Sequence, residues 1–160
     1  MANPEAGGGR DETREQRADR QWTDLLQELR VTQVGVQILF GFLLTVVFQQ
    51  RFSQLSATDR HLYVATVVLG AATTGSLVGP VAMHRLLTGQ RLKPETVQWA
   101  ARMTVLGLFL LLCTMACSLL LVLRVVSGSR TGAWITGAVI VWFLLCWLAF
   151  PLWVRRRSEQ

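Results

Sequence analysis

Charged side chains are missing from four long stretches of this 160-residue chain. Only 16% of its residues are charged, whereas a typical soluble domain has about 25%. None of the ten acidic residues lies in any of the four stretches. Because a soluble helix rarely avoids charge over such a length, this pattern excludes an ordinary soluble globular domain.

The uncharged stretches cover residues 31–50, 62–83, 103–123 and 131–154. A helix rises about 1.5 Å per residue, so about 20 apolar residues cross a hydrocarbon core of about 30 Å. All four stretches reach that length. The sequence therefore predicts an all-α integral membrane protein, an antiparallel four-helix bundle within residues 31–157.

Two shorter segments precede the first predicted span. Residues 1–20 are Gly-rich and then mixed in charge, which predicts a disordered cytoplasmic tail. Residues 21–30 place Trp22, Leu25, Leu26 and Leu29 on one helical face. We interpret this segment as an amphipathic interfacial helix that runs into the first span.

Residues that carry catalytic or metal chemistry are scarce. The chain has three cysteines and two histidines, and Cys113, Cys117 and Cys146 all fall within predicted spans. The sequence contains no metal-spaced ligand set, phosphate-binding glycine loop or serine nucleophile motif. We therefore predict a protein that is not an enzyme and that uses no cofactor.

The net charge of +6 is unevenly distributed between the two sides of the predicted membrane. Twelve of the sixteen basic residues lie in residues 10–30, 85–102 and 155–157, and the other four are Arg51, Arg60, Arg124 and Arg130. Positive charge stays in the cytoplasm during insertion, so both termini are predicted to be cytoplasmic. The basic excess indicates topology first and contact with anionic lipid headgroups second, and it does not indicate nucleic-acid binding.

Two glutamines interrupt the start of the first span. Arg30, Gln33 and Gln37 recur at helical spacing and form a polar stripe. Since amides facing lipid would be unpaired, the stripe should face other helices. Two interpretations are open: hydrogen bonds between helices, which we favour, or a polar pathway or binding site.

Antiparallel packing would gather several polar residues at the cytoplasmic ends of the spans. They are Glu28, Arg30, Gln33, Gln37, His84 and Arg102. This polar cluster has two possible interpretations. It could bind an anion or a partner, or it could consist of ordinary arginines that reach toward the headgroups together with one capping acid. We favour the ordinary arrangement.

The second predicted span contains helix-packing and helix-breaking signals. Ala71, Gly75 and Gly79 repeat every four residues, which lets helix backbones approach closely, so this span is predicted to be the central packing helix. Pro80 predicts a kink. Ser56 and Asp59 fit an N-terminal capping pair just before the span.

The stretches LLQELRVTQVGVQILFGFLLTVVFQQRF and LYVATVVLGAATTGSLVGPVAMHRLL resemble a domain-of-unknown-function family of small four-span membrane proteins from actinobacteria. The Leu-Glu-Leu-Arg-like start, the glutamine pair and the Pro-Val-Ala-Met-His-Arg end of span two carry the likeness. The resemblance covers most of residues 25–154 and implies a membrane protein but no activity. Some members of that family carry a sodium/proton antiporter label.

The sequence thus predicts a small non-enzymatic scaffold or accessory protein in a bacterial plasma membrane, which could form a homo-oligomer. The alternative is a small oligomeric transporter or channel for a cation or small solute. Small multidrug exporters also have four spans, but they need a membrane-embedded glutamate in span one. Here that span holds only glutamines, and intramembrane acids usually mark proton and cation pathways.

Overall fold

The structure is a computed structural model that describes residues 14–87, 94–150, 153, 156 and 157. In these residues the chain forms four α-helices and no strand. The helices are α1 (Arg14–Val46), α2 (Ala57–Leu87), α3 (Pro94–Ser127) and α4 (Ser129–Leu144). A 3-10 helix, Gln50–Gln54, joins α1 to α2, and a π-helical turn, Leu145–Ala149, follows α4. The predicted all-α four-helix fold is confirmed.

Each helix is long and apolar enough to cross a membrane. The qualifying segments are Arg20–Val46, Ala57–Met83, Thr96–Ser127 and Ser129–Trp147. Each overlaps one of the four predicted spans, although residues 151, 152 and 154 of the fourth lie outside the described residues. By length and composition, the chain is therefore a multi-pass membrane protein.

The start of α1 differs from the sequence prediction. Residues 14–20, assigned to a disordered tail, are helical, and residues 1–13 lie outside the described residues. The segment REQRADR consists largely of strong helix formers, so the helix of residues 21–30 extends through it. The mixed charge that suggested disorder is compatible with an exposed helical surface.

The apolar face of the amphipathic segment 21–30 packs on the protein, and its position at the membrane interface stays a prediction. Trp22 is 1% exposed and contacts Val97 and Ala100 of α3. Leu29 is also buried, in a second cluster with Leu77. Because α3 begins at residue 94 and presents an apolar face there, it covers the apolar face of this segment.

Helix α3 occupies the centre of the bundle, where α2 was predicted. It contacts α1, α2 and α4, while α4 packs chiefly on α3. The small residues Ala71 and Gly75 of α2 are exposed, and no heavy atom lies within 4 Å of a Cβ added at Gly75. Of that predicted stripe, Gly79 meets α3, where an added Cβ would collide with the side chain of Met103.

The contact face of α2 lies elsewhere on the helix, at residues spaced three and four apart. Its buried residues are Tyr63, Thr66, Gly70, Thr73, Leu77 and Pro80. This alternation of three and four is the seam expected for helices that cross at a small angle. The spacing of small residues therefore did not identify the contact face of α2, since the face that packs also contains Thr, Leu and Tyr.

A tight turn joins α3 to α4 and makes them the predicted antiparallel hairpin. Gly128 alone separates the two helices and has a φ of 82°, a left-handed conformation that favours glycine. One turn later, a Cβ added at Gly132 would lie 2.9 Å from the backbone nitrogen of Arg124. The two backbones therefore touch where the hairpin begins.

Candidate functional site

We name the two ends of the bundle by what they contain. The hairpin end holds the 3-10 helix and the Gly128 turn, and the terminal end holds the first residues of α1 and α3. The polar cluster predicted from sequence belongs to the terminal end. Three groups of side chains could carry function: the glutamine stripe, the terminal-end charges, and a groove at the hairpin end.

The first glutamine of the stripe forms a hydrogen bond between helices. The Gln33 amide Nε2 donates to the Leu77 carbonyl of α2 at 2.7 Å. Pro80 has no N–H to donate, so the helical hydrogen bond that it removes is the one to the carbonyl of Ser76, the residue next to Leu77. The geometry supports the hydrogen-bonding interpretation for Gln33.

The second glutamine of the stripe is on the surface of the bundle. Gln37 is exposed, whereas Gln33 is half-buried. The small cleft lined by Gln33, Gln37, Thr74 and Leu77 is too narrow for a water molecule. The side chains of α1 and α2 therefore pack closely beside the Gln33 hydrogen bond.

The terminal-end charges are exposed and are not joined to one another. Glu28, Arg30 and Arg102 are exposed, and no ion pair or hydrogen bond joins their charged groups among the side chains that the structure describes. The guanidinium of Arg102 lies 5.5 Å from the ring centre of Trp99. His84 belongs to α2, but its side chain lies outside the described residues.

Beneath these charges the terminal end has an apolar core that extends the bundle. Trp22, Val97 and Ala100 form it, with Leu26 and Met83 packed against them. The 33 residues of α1 extend about 50 Å at about 1.5 Å per residue, which exceeds a hydrocarbon core of about 30 Å. The charges of α1 lie before residue 31, so the excess length projects from the terminal end.

The centre of the bundle contains a buried pair of hydroxyl groups. Thr73 of α2 and Thr114 of α3 have their Oγ1 atoms 3.2 Å apart. Each is also close to the carbonyl four residues earlier in its own helix, at 2.8 Å. One hydroxyl can donate across the interface while the other donates to its own helix. These threonines therefore satisfy their hydroxyl groups within the bundle.

An ion pair closes the hairpin end. Arg124 Nε of α3 donates to Asp59 Oδ1 of α2 at 2.6 Å. The other carboxylate oxygen, Oδ2, accepts from the Ser56 hydroxyl at 2.6 Å, and the Asp59 N–H donates to Ser56 Oγ at 3.1 Å. The predicted capping pair is thus confirmed. Sequence reasoning missed its arginine partner, because Arg124 was counted only as one of the four basic residues on the other side of the predicted membrane.

A groove opens beside this ion pair, and no pattern in the sequence indicated it. Its walls are the last turns of α1 and α3 and the 3-10 helix. The lining residues are Leu43, Val46, Gln49, Arg51, Phe52, Leu55, Ser118, Leu121, Val122, Val125 and Val126. The groove has a volume of about 230 Å³ and an almost wholly apolar surface.

The polar edge of the groove continues into a second depression. Phe48, Gln49, Gln50 and Arg51 line this wider space, and Gln49 and Arg51 belong to both. Arg51 is exposed, and no described acid pairs with it. The apolar groove thus borders a surface of two amides and one guanidinium.

Buried contacts hold the base of the groove. The Tyr63 hydroxyl of α2 donates to the Leu43 carbonyl of α1 at 2.9 Å. The ring of Phe52 packs edge-on to Tyr63, with ring centres 5.0 Å apart. These contacts fix the 3-10 helix against the end of α1.

The described residues contain no group of three or more His, Cys, Asp or Glu side chains placed to hold a metal ion. Cys113 and Cys117 are half-buried free thiols on α3. With α1, α2 and α4 all in contact with α3, the chain is a multi-pass membrane protein of helical-bundle type.

The comparison with known families adds to this class. Residues 11–151 match the model of a family of unknown function, DUF6328. Because the match covers most of the chain, the protein belongs to that family. The predicted membership in a family of unknown function is confirmed, while the actinobacterial origin and the antiporter label stay predictions.

No curated protein matches the chain. No solved structure matches it either.

Proposed function

We propose that this protein is a non-enzymatic accessory or scaffold protein of a bacterial plasma membrane, with both termini in the cytoplasm. The observation that carries the proposal is the use of polar groups within the spans. Gln33 is bound to the Leu77 carbonyl, and the adjoining space excludes water. A transport path needs groups that are free to bind and release their cargo, whereas this glutamine is held in a hydrogen bond between helices.

The terminal end supports a role in binding other proteins. Helices α1 and α3 extend beyond the membrane-length core and pack through Trp22, Val97 and Ala100. The exposed charges Glu28, Arg30 and Arg102 lie on this extension. A rigid helical projection with a charged surface is suited to contact with a soluble or membrane partner.

Arginine–tryptophan pairs support an interfacial position for the terminal end. Arg102 lies over Trp99, and the guanidinium of Arg157 lies 4.1 Å from the ring centre of Trp153. Tryptophan is enriched where membrane meets water, and cytoplasmic segments are enriched in arginine. Such pairs would contact anionic headgroups, so the partners of this end would include the bilayer surface. No nucleic-acid partner is proposed.

A small oligomeric transporter or channel for a cation or small solute is the second candidate. Gln37 favours it, because this amide is exposed on a face of α1 that lies at membrane depth. An unpaired amide facing lipid is costly, so a second copy of the chain would be a natural cover. Two such faces could then enclose polar groups that one chain leaves outside.

Flux measurements separate the two candidates. The purified protein is reconstituted in liposomes that contain a pH-sensitive dye, and sodium, potassium or quaternary-amine gradients are imposed. The accessory role predicts the same dye response as in empty vesicles. A protein-dependent flux that disappears in Glu28→Gln or His84→Ala would contradict it and support the transporter.

Co-purification tests the accessory role directly. The tagged chain is isolated from its host in mild detergent, and bound proteins and lipids are identified by mass spectrometry. We expect a stoichiometric protein partner that is lost when the exposed charges Glu28 and Arg30 are replaced together. Recovery of the chain with lipid alone would contradict an accessory role.

A further inference from the structure

We propose that the groove at the hairpin end is a binding site for a single phospholipid of the surrounding bilayer. One acyl chain would lie along the apolar channel, and the phosphate would accept hydrogen bonds from Arg51 and the neighbouring amides. This site lies at the opposite end of the bundle from the polar cluster and is independent of the accessory role.

The dimensions of the groove fit part of an acyl chain. Its α3 wall runs from Ser118 to Val126, which is about 12 Å at about 1.5 Å per residue. Half of a hydrocarbon core of about 30 Å is about 15 Å, so the wall follows most of one leaflet. Its volume of about 230 Å³ is below the roughly 300–1,000 Å³ of pockets for drug-sized ligands. A narrow hydrocarbon chain suits this space better than a bulky ring system.

The groove is apolar along its walls and polar at one edge, and a phospholipid is likewise apolar in its chains and polar in its headgroup. The walls contributed by Leu121, Val122 and Val125 are apolar, and Ser118 is the one polar lining residue of α3. At the edge, Gln49 and Arg51 lead into the depression that they share with Gln50. The site therefore offers hydrocarbon contacts first and hydrogen-bond donors at the level where a headgroup would lie.

Charge at the hairpin end favours a phosphate. Asp59, the one acid on this side of the bundle among the described residues, is paired with Arg124. Arg51 is exposed and keeps its positive charge toward the surroundings. A guanidinium presents a planar fork of donors that matches phosphate oxygens. The uncompensated cation beside the apolar channel is thus complementary to an anionic lipid.

The site is held in place before any lipid binds. The Tyr63 hydrogen bond to Leu43 and the Phe52–Tyr63 ring contact fix the 3-10 helix that holds Arg51. A site that is formed in advance loses less freedom on binding, which favours retention of one lipid over its neighbours in the bilayer.

Native mass spectrometry of the full chain in detergent tests the proposal. Delipidated protein is titrated with phosphatidylglycerol, with dioleoylglycerol, which lacks the phosphate, and with inorganic phosphate, which lacks the chains. We expect one phosphatidylglycerol per chain and much weaker binding of the other two probes. Equal binding of dioleoylglycerol, or equal competition by inorganic phosphate, would overturn the proposal.

Two matched pairs of variants locate the site. Arg51→Gln should weaken phosphatidylglycerol binding roughly tenfold, since it removes a charge-assisted hydrogen bond. The conservative variant Arg51→Lys should retain most of the binding, and the control Arg60→Gln should leave it unchanged. Val122→Trp should block the channel, while Val105→Trp, at an exposed position of α3 outside the groove, should not. Melting temperatures close to the parent's show that each variant is folded.

Unchanged binding in both Arg51→Gln and Val122→Trp would overturn the proposal. A lipid-free dimer that Val122→Trp dissociates would also overturn it, because the groove would then hold a second copy of the chain.

Discussion

The side chain of Gln33 on α1 and the backbone carbonyl of Leu77 on α2 are joined by a 2.7 Å hydrogen bond, one turn before Pro80. This single contact explains why a glutamine occurs in an otherwise apolar helix. It also links the region of α2 most affected by proline to a neighbouring helix.

We expect Gln33→Leu to lower the free energy of unfolding by about 0.6 kcal/mol and by no more than about 1.7 kcal/mol, the range for hydrogen bonds between membrane helices. Gln37→Leu is the matched control, because Gln37 is exposed and should tolerate an apolar side chain. Thermal melting in detergent measures both. Equal melting of Gln33→Leu and the parent would mean that this hydrogen bond does not stabilise the fold.

Glycine positions test which face of α2 packs within the chain. A Cβ added at Gly107 of α3 would lie 2.6 Å from Leu77 Cδ2, whereas one added at Gly75 meets nothing within 4 Å. Gly107→Ala should therefore destabilise the bundle by about 1–3 kcal/mol through overpacking, and Gly75→Ala should not. If Gly75→Ala proves the more harmful change in detergent melting, Gly75 packs against another copy of the chain.

The packing of the first turns of α1 is tested at Trp22. Its side chain is 1% exposed, so Trp22→Ala should cost about 3–5 kcal/mol. Trp99, which is 59% exposed, provides the control Trp99→Ala with little expected effect. Trypsin cleavage after Arg20 should become faster in the Trp22 variant alone. Equal cleavage in both variants would indicate that residues 14–30 do not pack on α3.

The length of the uncharged stretches predicted the four apolar helices well, because the cost of placing a charge in hydrocarbon applies to every residue of a span. It did not indicate how residues 14–30 pack, because there α1 and α3 supply each other with apolar surface. A pattern within one segment could not reveal that partner, which is about 75 residues further along the chain at Val97 and Ala100.

The candidate sites were predicted to different extents for a similar reason. Periodicity correctly assigned Gln33 to a face that meets another helix, but it could not separate Gln33 from Gln37, which differ in exposure. The groove and the Asp59–Arg124 pair join residues from distant helices. Their formation depends on how far α3 extends beside α1 and α2, which no local pattern specifies.

The Asp59–Arg124 pair should couple the start of α2 to the end of α3. The two side chains are only 15% and 26% exposed, and the carboxylate also accepts from Ser56. A double-mutant cycle with Asp59→Asn and Arg124→Gln should give a coupling energy of about 1 kcal/mol, since partial exposure limits the gain. Arg130→Gln, at an exposed arginine of α4, is the control. Zero coupling in chemical denaturation would show that the ion pair contributes nothing to stability.

The proposed orientation can be tested at positions that the structure places at opposite ends of the bundle. Ser53 in the 3-10 helix and Ser129 at the start of α4 are exposed at the hairpin end, and Gln21 is exposed on the terminal-end extension. Each is replaced by cysteine in a chain whose native cysteines have been removed, and intact cells are treated with a membrane-impermeant thiol reagent. Because twelve of sixteen basic residues lie in the segments that the sequence assigns to the cytoplasmic side, the positive-inside rule predicts labelling at residues 53 and 129 and protection at residue 21. Permeabilised cells provide the control, in which all three positions should react. Labelling at residue 21 in sealed cells would reverse the orientation and place the groove in the cytoplasmic leaflet.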